Sequence, residues 1–238
     1  MLDISAVRAI CLDLDDTLWP VWPTIARAEL ALQGWLKLRA PRAAALVADS
    51  QARAALRQQV MEAHPDLHHD LSHQRQELIR LALHQCGEDT AHAPEAFEIF
   101  FAERNRVDFY DDALPALAQL AARFPLLAVS NGNADLARVG VDHLFAGSVS
   151  ARDAGVAKPD GRIFAAAAKR LGLAPHQVLH VGDDPALDVL GALAAGMQAV
   201  WVNRDGKSWA HEAQPHATVS HLGELCAMLA GAQGLREP

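Results

Sequence analysis

A short apolar stretch at residues 7–12 ends at Asp13-Leu14-Asp15-Asp16-Thr17. A run of this length reads as a strand buried on both faces, as in a parallel sheet. Comparable runs return only beyond residue 110: 125–130, a weaker one at 147–150, then 177–182 and 198–203. Between them the apolar positions take helical spacing over 114–123, 134–144, 160–171 and 185–195. Gly172 and Gly196 are placed to end two of these helices. The tail from residue 217 suits a short edge strand and a last helix through residue 228. Strand and helix in alternation predict an α/β fold, a doubly wound parallel sheet of Rossmann-like type with helices on both faces.

Residues 23–106 break this pattern. Strand signals vanish, and Ala, Leu, Gln and Arg dominate. Helices are expected over 23–38, 42–63 with a break near Asp49-Ser50, 71–86 and 94–106, punctuated by Pro41, Pro65, Gly87 and Pro94. The expected organisation is a core domain of residues 1–20 and 108–238 with a helical cap domain, 21–107, inserted after the first strand.

Composition narrows the class. Hydrophobic residues are 51% of the 238, enough for a substantial core. Lys plus Arg number 21 against 29 Asp plus Glu, a formal charge of -8, which argues against nucleic acid as a partner. It leaves room for a small anionic substrate, because charge within a cleft matters more than the total. Cys11, Cys86 and Cys226 form no CxxC pair and read as reduced thiols. The N-terminus carries no long apolar segment after a basic start, and no apolar stretch is long enough to span a bilayer. The expected location is the cytoplasm, with no membrane partner.

Asp13 and Asp15 stand at the C-terminal tip of the first strand, the edge where open α/β sheets bind ligands. Two neighbouring acids repel and require a compensating cation. The pattern points to a metal-assisted site in which one carboxylate attacks and its neighbour moves a proton.

Four motifs extend this picture: Asp13-Leu14-Asp15-Asp16-Thr17, Ser130-Asn131-Gly132-Asn133, Lys158-Pro159, and Gly182-Asp183-Asp184-Pro185-Ala186-Leu187-Asp188. In this order, each at a strand end or loop, they resemble the motifs of the haloacid dehalogenase-like (HAD) hydrolases. The insertion lies where that family places its C1-type cap.

The resemblance implies a phosphatase that hydrolyses a small phosphomonoester through a phosphoaspartyl intermediate. Asp13 is then the nucleophile, splitting one hard displacement into two easier ones. Asp15 is the acid for the leaving alkoxide and later the base for water. Lys158 supplies positive charge to the phosphoryl oxygens and the crowded acids. Ser130 binds a phosphoryl oxygen, with backbone N–H groups of Asn131 and Gly132 as an anion cradle. Thr17 joins the substrate-facing set. Mg²⁺ is the expected cofactor, held by Asp13, the main chain of Asp15, and Asp183, with Asp188 or Asp184 as a further ligand or an orienting group. An N-cap role for Asp184 weighs equally.

A closer resemblance rests on His64-Pro65-Asp66-Leu67-His68-His69-Asp70, on Ser130-Asn131-Gly132-Asn133-Ala134, and on His180-Val181-Gly182-Asp183-Asp184. These are similar to HAD phosphatases acting on flavin mononucleotide and on the phosphorylated pyrimidine precursor of riboflavin. Trp19 and Trp22 then suit stacking on a flat ring, with hinge and cap packing as the alternative. The i,i+4 pairs His64/His68 and His69/His73 carry metal-ligand spacing, although Pro65 interrupts them. His180 reads as a satisfied core histidine, and Arg104 and Arg106 as surface cations, with an approach to an anionic substrate as the alternative. The rival readings are a phosphomutase or haloacid dehalogenase on the same scaffold, and a non-catalytic binding protein.

Overall fold

The computed structural model describes residues 1–231. Six parallel strands form one sheet: β1 (Ala9–Leu12), β2 (Leu126–Ser130), β3 (Gly147–Ser150), β4 (Val178–Gly182), β5 (Gln198–Val202) and β6 (Ala217–Val219). Their order is β3-β2-β1-β4-β5-β6. Every residue of β1, β2, β4 and β5 is buried, which is why these strands show no polar alternation. The chain winds outward from β1 in one direction and from β4 in the other. The β1/β4 boundary is therefore the point where such sheets open a crevice.

The helices are α1 (Val21–Arg39), α2 (Pro41–Ala48), α3 (Ser50–Ala63), α4 (Leu71–Gln85), α5 (Ala93–Arg104), α6 (Ala113–Ala121), α7 (Leu136–Val139), α8 (Ala151–Ala154), α9 (Gly161–Leu171), α10 (Gly191–Ala194) and α11 (Leu222–Gly231). The chain divides into two compact units. One comprises Met1–Pro20, Asp108–Gly132 and, among the described residues, the chain from Gly140 onward; the other comprises Val21–Val107 and Asn133–Val139. No described helix is long and apolar enough to cross a membrane.

In the sheet unit, Cys11, Leu127, Val129, Val178 and Trp201 from the strands pack with Ile163 and Phe164 of α9. In the helical unit, Leu32, Leu36, Leu56, Ile79, Leu83 and Phe100 form a separate core. Full burial of side chains this size contributes about 1.5–3 kcal/mol each, so each unit has its own source of stability. Asp49 makes the break between α2 and α3, accepting from the Ala52 N–H as N-cap of α3.

The structure departs from the sequence reading in several places. The helix expected over 134–144 shrinks to α7, because Gly140 takes φ +89° and ends it. Residues 133–139 group with the helical unit rather than with the core domain expected for 108–238. There Asn133 Nδ2 donates to Ser72 Oγ at 3.1 Å, the Asp135 N–H donates to Asn105 Oδ1 at 2.7 Å, and Arg138 pairs with Glu98. The histidine pairs also fail. α3 stops at Ala63 and a 3₁₀ turn covers Pro65–Leu67, so His64 meets His73 edge to face at 4.9 Å and His68 meets His69 at 5.6 Å.

Candidate active site

The register of the central strands builds the site. Leu12 pairs with Val181, and the Asp13 N–H donates to the Val181 carbonyl at 2.9 Å. Asp13 and Asp183 therefore leave neighbouring strand tips on the same edge. The chain then turns sharply. Asp16 sits in the left-handed region at φ +58°, its N–H donating to the Trp19 carbonyl at 2.7 Å. Asp is among the few side chains that tolerate this conformation, which accounts for a non-glycine residue there.

After β4, Asp184 caps the next turn, accepting from the Ala186 and Leu187 N–H groups at 2.8 Å each. That turn, Pro185–Leu190, is a widened π-turn where a plain helix was expected. It carries Asp188 back over Gly182, where a Cβ would lie 2.2 Å from Asp188 Cγ. Only glycine leaves the carboxylate that space.

Lys158 completes the centre. Its Nζ donates to Asp13 Oδ1 at 2.5 Å and to Asp188 Oδ1 at 2.6 Å, and the residue is 4% exposed. Asn131 holds it from behind: Asn131 Oδ1 accepts from the Lys158 N–H at 2.7 Å, and Asn131 Nδ2 donates to the Lys158 carbonyl at 3.0 Å. The Lys158-Pro159 peptide is cis.

Burial and charge set the protonation. Burial alone would strip the Lys158 proton, but Asp13 and Asp188 outweigh it and hold its pKa above the ordinary lysine value. Burial likewise pushes Asp188 up, yet Lys158 and then His180 bring it well below the usual carboxylate range. At Asp13 burial wins over Lys158, and the charges of Asp188 and Asp183 add to it, so its carboxyl is raised. Asp183 is pushed up to about 7 by burial, then by Asp188 and Asp16. Burial lowers His180, against the pull of Asp188.

Oxygens of Asp13, Asp183 and Asp188 all lie within 4.8 Å of one another. Three carboxylates share one ammonium, so the site lacks positive charge, and its donors are hard oxygens. That combination fits a small divalent cation. Among the described residues, the Asp183 carboxylate accepts only from the Thr17 hydroxyl, at Oδ1 and 3.2 Å. Asp188 is more fully engaged, with Oδ1 on Lys158 and His180 and Oδ2 on the Asp184 N–H at 3.1 Å. This gives Asp188 the character of an organiser more than of a direct ligand.

Several expected substrate contacts take other positions. Trp19 is fully buried, its Nε1 donating to Asp15 Oδ1 at 2.8 Å and its ring edge-on to Phe109, so no face remains for stacking. Trp22 lies on α1 in the helical unit and is 75% exposed. Thr17 is buried between Asp183 and Asp13, with Asp13 Oδ2 3.4 Å from its hydroxyl, and links the two strand tips. The Gly132 N–H is taken by Ser130 Oγ at 2.9 Å and is closed to an anion. Asn131 serves Lys158 through its side chain. Asp15 is partly exposed.

Other supports went unread in the sequence. Trp201 Nε1 donates to the Asp183 carbonyl at 2.8 Å. Arg204 forms a bidentate pair with Asp112 at 2.9 and 3.0 Å and donates to the Thr17 carbonyl at 2.9 Å. Its guanidinium lies 3.8 Å from the Tyr110 ring centre. Indole N–H groups in a buried strand need a partner, so Trp201 offered a signal; the Arg204–Asp112 pair offered none.

Comparisons with known proteins agree with this geometry. The family described as haloacid dehalogenase-like hydrolase matches residues 7–196. The 5-amino-6-(5-phospho-D-ribitylamino)uracil phosphatase YigB of Escherichia coli is 32% identical over 234 residues, covering 95% of this chain and 98% of that one. A phosphoserine phosphatase of Thermus thermophilus is 38% identical over 157 residues, 63% of each chain. A solved structure, a 2-haloacid dehalogenase from Pseudomonas syringae, superposes with a TM-score of 0.90 at 35% identity, covering 95% of this chain and 99% of that one.

Proposed function

Since the chain belongs to the haloacid dehalogenase-like hydrolase family, we propose that it is a Mg²⁺-dependent phosphatase acting on a small phosphomonoester in the cytoplasm. The observation that carries this reading is the grouping of Asp13, Asp183 and Asp188 around Lys158 at adjacent strand tips. Asp13 attacks phosphorus, the bond to the leaving oxygen breaks, and Asp15 gives that oxygen a proton. Asp15 then takes a proton from water. That water attacks the phosphoaspartyl group, releasing inorganic phosphate and restoring Asp13. Lys158 keeps Asp13 oriented and offsets charge at the reacting oxygens. Asp13, the main chain of Asp15, and Asp183 would hold the cation, which supplies charge neutralisation for the phosphoryl group. The helical unit takes the part of a substrate-selecting cap, and Ser130 is among the substrate contacts.

The pyrimidine precursor of riboflavin and flavin mononucleotide head the substrate panel, because the full-length likeness to a phosphatase of that precursor points there. Phosphate release over this panel should require Mg²⁺, stop in excess chelator and return when Mg²⁺ is restored. Full activity in chelator would refute the metal assignment.

A second reading is favoured by the likeness to a 2-haloacid dehalogenase. There Asp13 would attack carbon and halide would leave. Such chemistry needs neither the cation nor an acid at Asp15. Halide release from a 2-haloacid in chelator, without phosphatase activity, would establish it.

The metal-free protein should also show a diagnostic pH dependence. Burial, then the charges of Asp188 and Asp16, push the folded Asp183 carboxyl up to about 7 from an ordinary 3.8. A raised carboxyl pKa means the folded chain keeps a proton that the unfolded chain has released. That contribution is full below the lower value and is lost as pH rises through the upper one, at up to about 1.4 kcal/mol per pH unit. The melting temperature should therefore fall between about pH 4 and about pH 7 and level off above that. Asp183→Asn should flatten the fall, and Mg²⁺ should stabilise the wild type more at the higher pH.

A further inference from the structure

Asp188 is gripped by a residue that the proposed chemistry does not use. His180 sits in the middle of β4 and is wholly buried. Its Nε2 lies 2.9 Å from Asp188 Oδ1, the oxygen that also takes Lys158 Nζ. Its Nδ1 is buried too and meets no hydrogen-bond partner among the described residues. The carboxylate can only accept, so Nε2 carries the hydrogen. A hydrogen on Nδ1 would be buried without an acceptor. Phe164 holds the ring edge to face at 5.1 Å. Phe164 is itself set against Gly191, where a Cβ would come within 2.7 Å of its ring.

A buried parallel strand ordinarily fills such a position with Val, Ile or Leu. Imidazole costs desolvation there, and its one polar contact goes to the site. We propose that His180 is a positioning residue: it donates from Nε2 to Asp188 and fixes the carboxylate that holds Lys158 Nζ against Asp13. This deepens, and rests on, the phosphatase reading above. The need is mechanical. Lys158 reaches the site on a flexible four-carbon stem, and the Asp188 carboxyl turns easily about its last torsion. The Asp184 N–H pins one oxygen of Asp188 and His180 pins the other, so that torsion is held from both ends.

The test compares His180→Phe, which keeps the ring volume without the donor, with His180→Gln, which keeps a donor at the ε position. In Mg²⁺, His180→Phe should lower kcat for phosphate release by about 10- to 100-fold, the usual cost of losing an orienting partner. KM should stay within about threefold, because binding is untouched. His180→Gln should recover most of kcat, while its melting temperature falls below that of the Phe variant, whose buried surface is wholly apolar. A merely structural role would move stability and leave kcat per folded molecule unchanged. Wild-type kcat in His180→Phe, or equal kcat loss in both variants, would overturn the proposal. The ¹⁵N spectrum of the wild-type imidazoles gives a readout independent of turnover. It should show His180 protonated at Nε2 alone, and an Nδ1–H tautomer would overturn the contact. If the wild type released phosphate from no monoester, the functional reading would fail while this spectrum still decided the contact.

Discussion

Asp13→Asn should cut phosphate release by at least about 10³-fold and leave the protein folded. An amide oxygen is too weak a nucleophile to attack phosphorus. The fold should survive because Lys158 keeps Asp188 as its partner. Substitution also removes one of three acids crowded within 4.8 Å of one another. The metal-free variant should therefore melt at or above the wild-type temperature near neutral pH. Phosphate release, acid-quench trapping of the phosphoenzyme and a thermal melt together test the assignment. Wild-type turnover in the variant would mean that another group attacks.

Lys158→Met should be the most damaging change to stability. The thioether fills most of the lysine stem's volume but leaves Asp13 and Asp188 facing each other without the ammonium that lies 2.5 and 2.6 Å from them. Removing one partner of a buried ion pair typically costs about 3–5 kcal/mol. The loss should shrink as pH falls, because protonating Asp13, whose carboxyl is already raised, relieves the repulsion. Adding Asp188→Asn should restore part of the stability, a coupling that a double-mutant cycle in urea measures directly. Activity should stay at least about 10²-fold down in both variants, because neither returns positive charge to the reacting oxygens. A Lys158→Met protein as stable as the wild type would show that the pair contributes nothing net.

The sequence carried the sheet and the tips of its central strands, because β1 and β4 are buried on both faces and read as unbroken apolar runs. Asp13 and Asp183 followed from where those runs stop. What it did not carry is long-range pairing. Trp19 stood open between stacking on a ring and packing; its indole is spent on Asp15 four residues away and its ring is inside. Arg204 and Asp112 are 92 residues apart, and nothing in either neighbourhood announces the pair. Gly140 was visible inside an expected helix, but its left-handed φ was not. His180 was expected to be fully satisfied, whereas only its Nε2 is.

The clamp of Asn131 on Lys158 bears on how such a centre can be moved or redesigned. Both amide atoms of Asn131 grip the main chain of a residue 27 positions away. The Ser-Asn-Gly turn and the Lys-Pro loop are thus halves of one bracket. Transplanting the lysine into another scaffold without its asparagine would carry over the charge but not the mount that aims it. Variation at either half should accordingly be judged against the other, as a single inherited part.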